Sequence, residues 1–159
     1  MRNLAIILSL VIGSAAHAEY KIGDTAIYAT SSQGKDFDMK EEVLALDINS
    51  DSLTIKESVI FGGATVQEST EVNKISETEQ DEQMFDACLQ LPSSLNPRYE
   101  LVNVIAGSFN TCHLTVTDES GAIINAYFAK VLFGVVKMTK EGSNDGSDMT
   151  MELKSFIKN

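Results

Sequence analysis

Few side chains in this sequence can do covalent or metal chemistry, and their spacing limits what that chemistry is. Two histidines and two cysteines occur among 159 residues: His17, His113, Cys88 and Cys112. His17 falls in an N-terminal leader, so His113 is the one candidate general base. It alternates with Thr111 and Thr115, away from the side that carries Cys112 and Leu114. That puts it on a solvent-facing position or a cavity wall. No G-x-S-x-G elbow and no phosphate-cradling glycine loop accompanies it. Gly62-Gly63 and Ala106-Gly107-Ser108 read as tight turns. Carboxylates are abundant, and nothing in their order selects the pair that a glycosidase holds about 5–9 Å apart. No catalytic residue is assigned on this basis, and the chain leans away from being an enzyme.

Metal chemistry fares no better. Asp47-x-Asn49-x-Asp51 opens like a calcium loop. Position six is then Ser52 rather than glycine, and position twelve is Ser58 rather than glutamate. The segment lies between two alternating runs, where Asn and Asp are ordinary turn formers. Residues 144–148 (NDGSD) read the same way. Zinc would find one histidine. No metal ligand and no cofactor site is expected. The cysteines lack a Cys-x-x-Cys spacing and a basic neighbour that would activate a thiol. In an oxidising compartment they predict one disulfide, Cys88–Cys112. It closes a loop of about 25 residues, worth roughly 3.5 kcal/mol by chain entropy.

The first eighteen residues argue for that compartment. Arg2 precedes a short apolar run over 4–12, interrupted at Ser9, and Ala16-His17-Ala18 supplies small residues for cleavage. This order predicts a signal peptide over 1–18, cut after Ala18, and a periplasmic or secreted protein. The run is too short to span a bilayer core of about 30 Å, so the chain is not expected to be membrane-spanning. What remains, 19–159, has the length of a single β-rich domain. The sequence carries 12 basic and 23 acidic residues, a net charge of −11. Such a chain repels nucleic acid and anionic headgroups at long range. Nucleic-acid binding is excluded as a working reading, and the charge itself serves solubility.

Most of the chain alternates with a period of two. Segments 20–30, 41–48, 53–61 and 64–72 are separated by turns at 23–24, 31–34, 49–52 and 62–63. In the third, Leu53, Ile55, Glu57, Val59 and Phe61 share one face. The fourth is polar enough for an edge strand. The period then changes. Ser76 and Glu79 form a capping box. Met84, Ala87, Cys88 and Leu91 follow as an apolar helical stripe, and Pro92 stops it. Strands return at 99–105, 109–117, 122–131, 134–140 and 149–156. Eight or nine hairpin-spaced strands and one helix over about 77–90 predict a mainly β fold. The expected form is an antiparallel curved sheet or half-barrel with the helix packed across it. Met39, Met84, Met138, Met149 and Met151 either fill its core or line an apolar pocket.

The C-terminal half also resembles the TapB-like group of exported bacterial proteins of unassigned function. Ala106-Gly107-Ser108-Phe109 with nearby Cys112, Ala126-Tyr127-Phe128-Ala129, Gly134-Val135-Val136-Lys137 and Glu152-Leu153 carry the resemblance. Ile22-Gly23-Asp24 with Tyr28 matches near the start. Ile105 replaces that group's proline, and the chain has no tryptophan. The resemblance implies an exported β-rich fold and no activity. Together these readings predict an exported non-catalytic envelope protein that binds an apolar ligand, a lipid or a protein partner. The alternatives are an interaction module with a filled core and no ligand, and a small hydrolase with an unrecognised site. Oligomeric state is not encoded in any of these features.

Overall fold

The computed structural model describes residues 20–143 and 146–159. The expected leader and its cleavage site lie outside the described residues, as do Asn144 and Asp145. The chain order is β1 (Thr25–Ser32), β2 (Lys35–Asp47), β3 (Ser52–Phe61), β4 (Ala64–Lys74), α1 (Ile75–Ala87), β5 (Arg98–Val104), β6 (Gly107–Thr117), β7 (Ile123–Phe128), β8 (Val135–Glu141) and β9 (Met149–Ile157). The nine strands form one antiparallel sheet in the order β4-β3-β2-β1-β9-β8-β7-β6-β5. Two meanders therefore meet at the β1–β9 pair, where Tyr28 lies opposite Leu153. Register shifts at Ile27/Tyr28, Val43/Ala45, Val59/Ile60 and Tyr127/Phe128 bend the strands, as bulges do. The sheet curves but does not close, so β4 and β5 remain its two edges.

The helix runs between those edges because the sequence places it between β4 and β5. It covers one face of the sheet, here termed the inner face. Two apolar clusters fill the space beneath it. One gathers Tyr28, Val43, Leu53, Leu132, Val136 and Leu153. The other joins Met84, Cys88 and Leu91 of the helical stripe to Cys112, Leu114 and Phe128. The stripe thus faces inward as its spacing predicts. Met84 and Met151 are buried, while Met39 and Met138 pack against the first cluster. Cys88 and Cys112 are bonded, with Cα atoms 5.5 Å apart, and both are fully buried.

Three local expectations change. The helix starts at Ile75, and its cap comes from elsewhere than Ser76–Glu79. Asp51, in the β2–β3 turn, accepts the Ser76 amide at 3.0 Å and the Ser76 hydroxyl at 2.6 Å. Its carbonyl also accepts the Ile75 amide at 3.2 Å. A carboxylate at the positive end of the helix does the capping work more strongly than a serine would. Asp47 accepts the Asn49 amide at 3.0 Å and the Ser50 hydroxyl at 2.8 Å. The calcium-like segment is therefore a turn and a helix cap.

Second, the helix tightens to a 3-10 turn over Cys88–Gln90. Third, β7 stops at Phe128 rather than continuing to 131. Ala129–Gly134 close on themselves through an amide-to-carbonyl bond of 2.8 Å. This sends Val131, Leu132 and Phe133 into the core. An apolar run satisfies a strand or a plug equally well, and the core beneath α1 needed the volume.

Candidate functional site

His113 is neither solvent-facing nor on a cavity wall. It lies on the outer face at 3 % exposure, inside a polar network assembled by strand register. Arg98 of β5 and Tyr127 of β7 stand opposite it on either side. Its Nδ1 sits 2.9 Å from Glu100 Oε2 and its Nε2 sits 3.0 Å from Asn125 Oδ1. The Tyr127 ring stacks on it with centroids 4.1 Å apart. Thr115 donates its hydroxyl to Asn125 Oδ1 at 2.9 Å. Burial, then the nearby Glu100, raises the Tyr127 phenol above its ordinary range. A glutamate, a histidine and a threonine in line resemble a nucleophile relay. Here both ring nitrogens are already engaged, and the threonine is turned to the asparagine. The network ties three strands together, with the Glu100 side chain at its exposed edge.

The inner face holds a different arrangement. On β2 and β3, Glu41 lies opposite Glu57 and Met39 opposite Val59. Asp81 of α1 acts on Glu41 from above. Burial first, then Glu57 and Asp81, push the Glu41 carboxyl up to about 7. Burial, then Glu82, push Asp81 up to about 6. Beneath them Tyr28 is fully buried, and that burial raises its phenol well above the ordinary range. Among the described residues no lysine or arginine forms an ion pair with Glu41, Glu57 or Asp81. Lys35 shares the side of Phe37, while Lys40 and Lys56 alternate to the outer face. There Lys40 pairs with Glu42 at 2.7 Å and Lys56 with Glu68 at 2.6 Å.

Towards the β3–β4 turn the same strip becomes apolar. On the other face at this end, a cleft of about 370 Å³ is lined by Ala29, Thr30, Asp38, Ile60, Glu152 and the Gly62-Gly63 turn. The Thr30 hydroxyl is buried without a hydrogen-bond partner. Within the strip, a second cleft of about 330 Å³ is lined by Lys35, Phe37, Val59, Phe61 and Val66. Phe61 is 55 % and Val66 61 % exposed. The adjoining strand, β4, is exposed along almost all its length and pairs on one side only. Among the described residues no helix is long and apolar enough to cross a membrane.

The carboxylate strip was not among the sequence candidates. Its one sequence signal is Glu57, a charge in the otherwise apolar face of β3. Pairing it with Glu41 needs the β2–β3 register, and Asp81 needs the helix docked.

No family model matches the chain, and no curated protein matches it. Solved structures do. One is a protein described as exported, with a YmcC-like fold, from Bacteroides fragilis. It has a TM-score of 0.56 at 12% identity, over 87% of this chain and 97% of that one. Another is a protein described as a lipoprotein from Parabacteroides distasonis, with a TM-score of 0.52 at 9% identity, covering 86% and 96%. MucB, solved in complex with MucA(peri), matches with a TM-score of 0.50 at 11% identity, over 87% of this chain and 50% of MucB. The chain thus spans about half of MucB. At these identities the likeness shows the fold alone.

Proposed function

We propose that this protein is an exported, non-catalytic envelope module that docks an extended segment of a partner protein along β4. The observation that carries this reading is the unpaired β4 edge lying beside the uncovered apolar strip of Phe37, Val59, Phe61 and Val66. An added strand can use the backbone groups of the edge, and its alternate side chains can enter the strip. A lipid could use only the strip. The fold likeness to MucB, which was solved with a protein partner, supports the choice of a protein. The TapB-like resemblance and the predicted leader support export.

The test is a photocrosslinking amino acid at Val66 in the protein expressed in its own cell envelope. The expected result is a crosslink to one protein, mapped by mass spectrometry to one extended segment. A matching probe at Glu119, in the β6–β7 turn, should give none. Equal labelling at both positions would refute docking at β4. Native mass spectrometry of the same preparation addresses the second reading, an apolar ligand in the cleft of about 330 Å³. A co-purified apolar mass with no crosslink at Val66 would favour that ligand.

A further inference from the structure

The surface beside the β4 edge is basic at one end and acidic at the other, and register puts both ends on the inner side. Gln67 stands opposite Val59, Ser69 opposite Glu57 and Glu71 opposite Ile55. The register shift at Val59/Ile60 leaves Val66 without an opposite residue, and Val66 lines the cleft with Phe37, Val59, Phe61 and Lys35. Pairing is regular from Gln67 to Lys74. Gln67, Ser69 and Glu71 are all exposed. Edges that must stay unpaired commonly carry lysine or proline along their length. β4 has no proline, and its one lysine is its last residue, Lys74.

The other charges of this edge are already matched. On the outer side Glu68 pairs with Lys56 at 2.6 Å, and Lys74 pairs with Glu77 of α1 at 3.0 Å. Among the described residues no ion pair includes Glu71 or Lys35. Glu57, diagonal to Glu71 on the neighbouring strand, adds negative potential at that end. Lys35 lies three residues past Asp38, where the pairing of β2 with β3 ends, so it stands at the turn end of the cleft. Gln67 and Glu71 are four residues apart on one face, about 13 Å.

We infer that the segment docked on β4 presents its side chains in a fixed order: a basic one against Glu71, an apolar one in the cleft four residues on, and an acidic one beyond it against Lys35. This rests on the docking reading above and adds the partner's chemistry to it. The nine strands pair antiparallel throughout. An added strand that continues this pattern runs opposite to β4, so basic, apolar and acidic is its order from the N-terminal side. Facing opposite charges favour that register, and facing like charges penalise the reversed one. A slip by one residue would turn all three side chains to the outer face. The charges therefore select the partner more than they tighten its binding.

The experiment uses the full chain in its own cell envelope, with the photocrosslinker at Val66. Glu71→Lys and Lys35→Glu should each cut the crosslink yield roughly fivefold, and Glu71→Gln should cut it less. Both positions are exposed, so these variants should melt with the parent. Glu119→Lys changes the net charge as Glu71→Lys does, away from β4, and should leave the yield unchanged. The segment mapped by mass spectrometry should carry its basic residue four positions before the apolar one and its acidic residue after it. Unchanged yields in both Glu71→Lys and Lys35→Glu would overturn the charge order while docking at β4 stands. A mapped segment with the reversed order would do the same. An equal loss in Glu119→Lys would assign the effect to net charge and overturn the order too. No crosslink at Val66 in the parent chain would refute the docking reading and this inference with it.

Discussion

Glu41 is placed by β-strand alternation on the face that the helix later covers, so its charge is decided by an element far away in sequence. Its carboxyl sits at about 7 in the fold against an ordinary 4.5. The folded state then binds this proton more tightly than the unfolded chain does. Stability contributed by this group is highest below about pH 4.5, falls as pH rises to about 7, and stays low above that. Glu41→Gln removes the penalty. It should leave stability at about pH 4 unchanged and raise it at about pH 8, by roughly 2 kcal/mol after allowing for its partial exposure. Urea melts at the two pH values check this. An equal gain at both would assign the effect to packing rather than charge. His113 marks the opposite limit at the same scale. Its alternation with Thr111 and Thr115 was legible, but not its burial, because Glu100, Asn125 and Tyr127 reach it only through the register of β5, β6 and β7.

Elements were legible where one periodicity prevailed. β3, β4, β6 and β9 follow from alternation, and the inward face of α1 from its stripe at 84, 87, 88 and 91. The ends of elements were less legible, because tertiary partners compete with local ones. Asp51 takes over the helix start, and the core draws 131–133 out of β7. β2 begins six residues before its clear alternation because hairpin pairing with β1 extends it.

Gly134 fixes how α1 meets this plug. Its φ is +74°, and a Cβ there would stand 2.4 Å from the Asp81 carbonyl carbon. Gly34 has a similar φ of +71° with open space around it. Gly34→Ala should therefore cost only the left-handed penalty of about 1–2 kcal/mol. Gly134→Ala should cost about 3 kcal/mol or more, since backbone must move as well. Denaturation curves with hydrogen exchange over α1 would show this; equal costs would mean that the helix is not seated on Gly134. The disulfide holds the other end of the helix. Cys112→Ser should lose about 3 kcal/mol under oxidising conditions. Reductant should largely erase the difference, and free-thiol titration of the native protein should find none.

At the scale of the whole molecule the charges are sorted by face. The outer face neutralises itself in pairs such as Lys137–Glu152 at 2.7 Å and Lys154–Asp38 at 2.7 Å. Among the described residues no lysine or arginine forms an ion pair with Glu41, Glu57 or Asp81 of the inner strip, and Lys35 stands with Phe37, Val59, Phe61 and Val66 at its far end. A strip built for folding would bury Phe61 and Val66; both are more than half exposed. Exposed positions of this kind cost little when changed, within about 0.5 kcal/mol. Phe61→Lys/Val66→Lys should therefore melt with the parent chain, yet lose a crosslink from a probe placed at Gln67. It fills the apolar end with charge while leaving the backbone edge intact. A large drop in melting temperature would instead make the strip part of the core and remove the reason to seek a partner there. An unchanged crosslink at full stability would place the docking energy in the β4 backbone alone, with the apolar strip uninvolved.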